Sequence, residues 1–268
     1  MMRRRWLATL SGRRRIQVLV RSKWLFTLIA LALAYRVFPS PSVFGVLVAN
    51  AVLWVALSAW ERSLRRQYIR EARLPPLLSK KLREVYPQLS AGDAELVLRG
   101  LRQFFIAYQR SGYQFVAMPS KVVDEAWHAF ILHTRAYDDW CKSAFGRLLH
   151  HTPAEVLGRD PKRNDGLRRT WYWACKEESI NPRAPTRLPL LFALDKKFAI
   201  AGGYSYAPDC RDIENQSGST AYCGTSFGDS GGGDGGSAGD ADGFGGSDAS
   251  GADGGGNGGG CGGGCGGD

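Results

Sequence analysis

Hydrophobic residues concentrate near the start of the chain in two runs. Residues 24–38 are WLFTLIALALAYRVF and residues 43–60 are VFGVLVANAVLWVALSAW, and the second run carries no charge. At 1.5 Å per helical residue the second run spans roughly 27 Å, close to the hydrocarbon thickness of a bilayer, and the first about 22 Å. Pro39 to Ser42, between them, suit a tight reversal. The pattern predicts a two-helix transmembrane hairpin.

From residue 74 to about residue 201 the apolar positions recur at helical spacing. Ser90 is a predicted N-cap with Asp93 in the first turn, and Ser120 opens a later helix that Gly146 stops. No run alternates with period two between turn signals, which excludes an extensive sheet. The pattern predicts an all-α, irregular bundle of about five helices, at about residues 77–86, 90–112, 120–144, 164–179 and 188–199.

The end of the chain has a different composition. Of residues 224–268, 23 are glycine, and most of the others are Ser, Asp or Ala. Such a segment buries too little apolar surface to offset its ordering entropy, so we expect it to be disordered. The predicted organisation is a basic N-terminus (1–23), the hairpin (24–60, with spans 24–38 and 43–60), a basic juxtamembrane segment (61–73), a helical domain (74–201), a linker (202–223) and a glycine-rich tail (224–268).

Charge gives the hairpin an orientation. Residues 1–23 carry eight Lys and Arg, the loop region carries only Arg36, and residues 61–73 carry five arginines. The positive-inside rule then places the N-terminus, the helical domain and the tail in the cytoplasm of a multi-pass protein of the plasma (inner) membrane. A cleaved signal peptide at residues 1–34 would leave the later residues on the same side. The remaining alternative is that both runs are core helices of a soluble protein.

The charge distribution also bears on partners. The net charge of +10 combines an acidic end, with ten acidic residues and one basic residue in 209–268, and a basic remainder of +19. Arginines beside apolar runs favour the bilayer and its anionic headgroups, and without a recognisable nucleic-acid-binding motif we expect no nucleic acid. Six dispersed cysteines indicate a reducing compartment, with Cys141 and Cys175 as small buried residues.

All four histidines lie between Asp124 and Pro153. On a helix His128 stands four residues after Asp124 on the same face, whereas His133 lies about 140° away from His128. One helix therefore cannot direct both histidines at one ion. The spacing also differs from the HExxH motif of zinc proteases, and the single Glu125-x-x-His128 motif lacks the second copy that a di-iron bundle needs.

The loop after Gly146 contains His150 and His151. If the loop folds back, one of these histidines joins His128 and Asp124 in a two-histidine, one-carboxylate site for Zn or Fe. The alternative is that hydrogen bonds merely tie the loop to the helix. Cys141 lies about 220° around the helix from His128, which disfavours a Cys-His pair. Cys261 and Cys265 could bind a soft metal or form a disulfide, but a four-ligand site needs two further donors, for which Cys210 and Cys223 are only distant candidates.

A series of rare residues recurs in order along this stretch: Trp127-His128, His133, Tyr137, Cys141, Phe145-Gly146 and His150. The series resembles the signature of the glycine-rich domain-containing protein-like family, and the chain is similar to a bacterial-type, membrane-anchored member. The resemblance implies no agreed activity, and plant members are associated with stress and developmental responses. This chain departs from the plant pattern in its two spans, its tail cysteines and its lack of an RNA-recognition module. The resemblance implies that the residues defining the module are Trp127, His128, Tyr137, Cys141, Gly146 and His150.

The sequence alone thus favours a membrane-anchored, cytoplasmic helical interaction module without enzymatic activity and with an unidentified protein partner. The alternative is a metal-binding sensor or metal-dependent enzyme that uses Asp124, His128 and His150 or His151. No residue is assigned a catalytic role or a role in binding an organic cofactor.

Overall fold

A computed structural model describes residues 2–38, 42–152, 161–209, 222–224 and 227. Within these residues the chain forms eight helices and one pair of two-residue strands, which confirms the predicted all-α class. The elements are α1 (Met2–Val37), α2 (Ser42–Glu71), α3 (Pro76–Val85), α4 (Ala91–Arg110), α5 (Lys121–Leu132), α6 (Thr134–Phe145), α7 (Pro161–Glu177), α8 (Leu190–Lys197), β1 (Tyr206–Ala207) and β2 (Tyr222–Cys223).

The two N-terminal helices pack against each other as a hairpin, with the rings of Trp24 and Trp54 5.3 Å apart. Both helices are long and apolar enough to cross a membrane, over Gly12–Arg36 and Val43–Glu71. The turn predicted between them falls mostly on residues 39–41, which lie outside the described residues. Helix α2 continues without a break to Glu71, so the basic juxtamembrane segment is its last part.

A cluster of charged side chains marks the point where the hairpin meets the domain. Lys23 Nζ lies 2.6 Å from Glu61 Oε2, and Arg65 Nε donates to Glu61 Oε1 at 2.8 Å. The buried Arg65 guanidinium also donates to the carbonyl oxygens of Lys142 and Ser143, at 3.0 and 2.8 Å. Arg65 thereby caps the C-terminal end of α6, where free carbonyls favour a cation.

Helix α4 is the centre of the domain and contacts α2, α3, α5, α7 and α8. It begins as predicted, because Ser90 and Asp93 form a reciprocal capping box. Its Phe105 packs against the rings of Trp127, Trp140 and Phe145. This aromatic cluster joins α4, α5 and α6 in one core.

The single helix predicted over residues 120–144 is wrong. The chain leaves helical geometry at His133, with φ −86° and ψ 59°, and its N–H bonds the carbonyl of Phe130 in a tighter turn. Helices α5 and α6 are therefore separate, and Thr134, the first residue of α6, is exposed. Gly146, at φ 78°, ends α6 as predicted.

The packed part of the chain reaches beyond the composition boundary at residue 224. Phe227, which the sequence assigned to the tail, is buried at 6% exposure against Trp171, Phe192 and Tyr206. Strand β1 pairs in parallel with β2 just before it. Cys223 is disulfide-bonded, in contrast to the expected reducing compartment. Outside the described residues lie Cys210 and residues 228–268, which include Cys261 and Cys265.

Candidate metal centre

The N-terminus of α5 is fixed from a distant part of the chain. Ser120 is its N-cap, and the buried carboxylate of Asp195 on α8 accepts from the Ser120 hydroxyl at 2.7 Å. The same carboxylate accepts from the backbone N–H groups of Lys121, Val122 and Tyr204, at 2.7, 3.1 and 3.0 Å. Three of these four donors belong to the start of α5, so the buried carboxylate holds the first turn of α5, and with it Asp124, in place.

Asp124 and His128 lie one turn apart on α5, as their spacing predicts. Asp124 Oδ2 is 3.8 Å from His128 Nδ1, and the His128 side chain is 46% exposed. Trp127, between them in sequence, faces the core instead. The helix therefore presents a carboxylate and an imidazole to solvent beside an aromatic wall.

The loop after α6 folds back over α5 and brings one histidine to this pair. His151 Nε2 lies 2.9 Å from Asp124 Oδ1, and the His151 ring is 4.4 Å from the ring of His128, between centroids. Tyr137 fastens the loop: its hydroxyl donates to the carbonyl of Leu149 and accepts from Trp127 Nε1. Trp127 and Tyr137, which the sequence singled out as signature residues, thus position the loop.

The structure brings three of the predicted residues together. One ligand atom each from Asp124, His128 and His151 lie within 4.8 Å of one another. His150 is exposed and is absent from this cluster, and His133 ends α5. The distances therefore select His151 from the two loop histidines.

A cavity of about 730 Å³ opens beside the three residues. It lies between α4, α5 and the loops that precede α5 and follow α6, and Asp124, His128 and His151 all line it. Aromatic residues form much of the wall: Phe104, Tyr108, Tyr113, Phe115 and Trp127. The cluster is thus accessible from a chamber of the size of small-molecule sites.

The donor separations are wider than those around a bound ion. Ligands about 2.1 Å from one ion lie about 3.0 Å apart at right angles and about 3.4 Å apart in a tetrahedron. His151 is 2.9 Å from Asp124 Oδ1 and His128 is 3.8 Å from Asp124 Oδ2, and one donor atom from each residue lies within 4.8 Å of the others. Binding of one ion by all three therefore requires the His128 ring, which is nearly half exposed, to move toward the other two donors.

Cys141 takes no part in this cluster. Its side chain is fully buried, and burial raises the pKa of its thiol to about 11. Burial also raises the pKa of Cys175, to about 12. Both thiols stay protonated at neutral pH, which makes them poor nucleophiles and agrees with their expected role as small buried residues.

Asp195 is the residue that sequence reasoning missed. The only signal is local: Asp195 is the one acidic residue in the otherwise apolar and basic stretch LPLLFALDKKFA. Nothing in that stretch indicates that its partners lie more than 70 positions earlier, at Ser120 and Lys121.

The comparisons with known proteins give a family and no activity. A family model described as UCP032817-like matches residues 64–227. The matched range begins in the last part of α2 and ends at the buried Phe227, so it coincides with the packed domain. No curated protein and no solved structure matches the chain.

Proposed function

We propose that this chain, which belongs to the UCP032817-like family, is a membrane-anchored protein whose helical domain binds a divalent transition-metal ion. The ligands are Asp124, His128 and His151. The observation that carries the proposal is their convergence from two elements, with one donor atom each within 4.8 Å of the others. Zn²⁺ and Fe²⁺ are the ions that two imidazoles and one carboxylate suit.

The number of ligands favours a reactive site over a purely structural one. Structural zinc sites are closed by four protein ligands, whereas three protein ligands leave a position for water or a small molecule. Here all three ligand residues line the 730 Å³ cavity, which would supply a ligand for such a position. The site is therefore suited to a sensor or a metal-dependent enzyme, and the chemistry of a bound ion is Lewis-acid activation of whatever occupies the open position.

The surroundings of the site suit metal binding in two further respects. His151 is only 11% exposed and packs edge-on against Trp127, with 4.5 Å between ring centroids, so its orientation is set before an ion arrives. Asp124 is anchored through the capped first turn of α5. Fixed ligand orientation reduces the entropy that binding must overcome.

The proposed location is the plasma membrane, with both ends of the hairpin and the domain in the cytoplasm. Support comes from the basic flanks of the two apolar helices and from their exposed apolar side chains. Anionic headgroups are the proposed partners of the flanking arginines. The disulfide at Cys223 argues against a cytoplasmic location, because disulfide bonds are typical of oxidising compartments. A reporter fused after residue 268 is expected to read cytoplasmic.

Two further predictions stay predictions beside this proposal. The first is the resemblance of the histidine stretch to the glycine-rich domain-containing protein-like family, which is a more specific statement than membership of the UCP032817-like family. An interaction module with a protein partner is the function that the sequence favours, and the distances in the described domain give more support to the metal site.

The metal site is tested on the full chain purified in detergent, by elemental analysis and by Zn²⁺ titration. We expect about one ion per chain in the unsubstituted protein and a loss of at least tenfold in affinity for Asp124→Ala, His128→Ala and His151→Ala. The matched controls are His133→Ala and His150→Ala, which remove the two histidines outside the cluster and keep the ion.

Two results contradict the proposal. The first is a folded protein, by circular dichroism, that holds no ion and binds none on titration. The second is an equal loss of affinity for the cluster variants and the two control variants. In either case Asp124 and His151 serve only to tie the loop to α5 by a hydrogen bond.

A further inference from the structure

We infer that the cavity beside the proposed metal binds a small aromatic carboxylate, with the ring against the aromatic wall and the carboxylate directed at the ion. The inference rests on the proposed function for the position of the carboxylate. Three observations carry it: the volume of the cavity, the composition of its wall and the balance of its charges.

The volume fits a single small molecule. The cavity measures about 730 Å³, within the range of roughly 300–1,000 Å³ in which small-molecule sites fall. Five different parts of the chain surround it, including Gly202 and Tyr204 from the segment after α8. A folded peptide or a polymer is too large to be enclosed there.

The wall fits a flat apolar body. Phe104, Tyr108 and Trp127 line the cavity but are almost fully buried, so the accessible aromatic surface belongs to Tyr113 and Phe115, which are partly exposed. Tyr108 and Tyr113 stand edge to face at 5.5 Å. Aromatic rings prefer offset and edge-on neighbours, so a further ring can pack against Tyr113 and Phe115 in the same way.

The charges fit an anion once the ion is bound. Among the described lining residues the fixed cations are Lys121 and Arg147, and the carboxylates are those of Asp124 and Glu125. These four charges cancel, so a divalent ion leaves the chamber with two positive charges. An anionic ligand neutralises that excess, whereas a cationic ligand adds to it.

Arg147 is placed to contribute to this recognition. Its guanidinium lies over the Tyr113 ring, 4.7 Å from the centroid, and its residue belongs to the same loop as His151. A cation held on an aromatic face keeps its remaining donors free for a carboxylate. Lys121, in contrast, is engaged with the carbonyl oxygen of Ala201 at 3.2 Å.

The test is calorimetric titration of the full, Zn²⁺-loaded chain in detergent with phenylacetate. Two probes dissect the proposal: acetate lacks the ring, and 2-phenylethylamine carries a similar body with the opposite charge. We expect phenylacetate to bind at least tenfold more tightly than either. We also expect its affinity to fall at least tenfold when the ion is removed with a chelator.

A pair of arginine substitutions locates the binding. Arg147→Gln removes a lining cation and is expected to weaken phenylacetate at least threefold while leaving Zn²⁺ affinity unchanged. Arg99→Gln removes an exposed arginine that does not line the cavity, and it is expected to change neither affinity.

The outcomes separate this inference from the proposed function. Zn²⁺ binding without phenylacetate binding, or with equal affinity for the amine, overturns the cavity ligand and leaves the metal site standing. Phenylacetate binding that is unchanged by removal of the ion contradicts the charge argument and overturns the inference. Absence of both Zn²⁺ and phenylacetate binding overturns both proposals.

Discussion

The hairpin and the domain are built from the same apolar residue types, but the hairpin exposes these side chains and the domain buries them. In the hairpin Tyr35, Phe44 and Val52 are 85%, 76% and 64% exposed, whereas Phe130 and Trp171 in the domain are fully buried. The domain helices carry polar residues on one face and caps at their ends, so water suits their outer surface. Over residues 24–38 and 43–60 the hairpin helices carry one charged residue, Arg36, which suits lipid.

One helix contains both behaviours. The first part of α2 exposes Val48 and Val55, and the last part buries Tyr68 and Ile69 in the domain core. The change coincides with Glu61, where the cluster with Lys23 and Arg65 lies. Helix propensity alone does not account for this change along one helix, because the helix itself continues through it. Three substitutions test the contrast between the two regions.

The largest effect is expected from Asp195→Ala, which affects the domain alone. The substitution leaves one hydroxyl and two N–H donors at the start of α5, and the N–H of Tyr204 after α8, without their acceptor. We expect the domain to lose about 3–5 kcal/mol of unfolding free energy. Thermal unfolding followed by tryptophan fluorescence measures the loss, and the protein is expected to stay in the membrane fraction.

Asp195→Asn is the matched control, because its amide keeps one acceptor oxygen and is expected to lose less than Asp195→Ala. A shift of the Asp195→Ala midpoint by less than 2 °C would refute the capping role. Release of that variant from the membrane fraction would show that the two regions are not independently held.

The next effect is expected from Val52→Arg, which affects the hairpin alone. Val52 lies near the middle of the second apolar run and is 64% exposed. In a bilayer an arginine at the centre of a span costs about 2.5–3.5 kcal/mol on the insertion scale, whereas at a water-exposed position it costs almost nothing. We expect a reduced membrane-inserted fraction in a glycosylation or carbonate-extraction assay.

Val85→Arg provides the comparison for this measurement. Val85 is 51% exposed on α3 in the domain, and the same change there is expected to alter neither insertion nor unfolding by more than about 0.5 kcal/mol. Equal, small effects at both positions would mean that the hairpin lies in water and would remove the membrane from the proposal.

The smallest effect is expected from Arg65→Gln, at the junction of the two regions. The substitution removes the cation that pairs with Glu61 and caps α6, while Lys23 still pairs with Glu61. We expect a loss of about 2 kcal/mol in domain stability, measured by thermal unfolding. We also expect weaker Zn²⁺ binding, because the loop that contains His151 starts at the end of α6.

Arg62→Gln is the control for this substitution, since Arg62 is exposed one turn earlier on the same helix. If the two variants behave alike, Arg65 contributes only surface charge. If Arg65→Gln lowers stability without changing Zn²⁺ affinity, the junction stabilises the domain and has no part in positioning His151.

Local signals predicted much of this structure. The Ser90–Asp93 cap, the stop at Gly146 and the pairing of Asp124 with His128 all depend on residues within one or two helical turns. The length of the uncharged second run likewise predicted a helix able to span a bilayer. In each case the cause and the effect lie close together in sequence.

The remaining features depend on contacts between distant residues. No glycine or proline in the sequence predicts the helix break at His133. The break allows the Tyr137 hydroxyl to bond both Trp127 and the Leu149 carbonyl. The choice of His151 over His150 follows from the path of the loop, which the sequence leaves open. Phe227 is buried by residues far from it in sequence, although its own neighbours are typical of a tail.

The unbroken course of α2 has a mechanical consequence. A domain on a flexible linker can reorient freely, but a helix that enters the core without a hinge connects the hairpin rigidly to the domain. From Glu61 to the end of α2 the helix rises only about 15 Å, and Arg65 fixes its rotation relative to α6. With the hairpin in a bilayer, the mouth of the cavity keeps a constant distance from the membrane surface and a constant orientation relative to it.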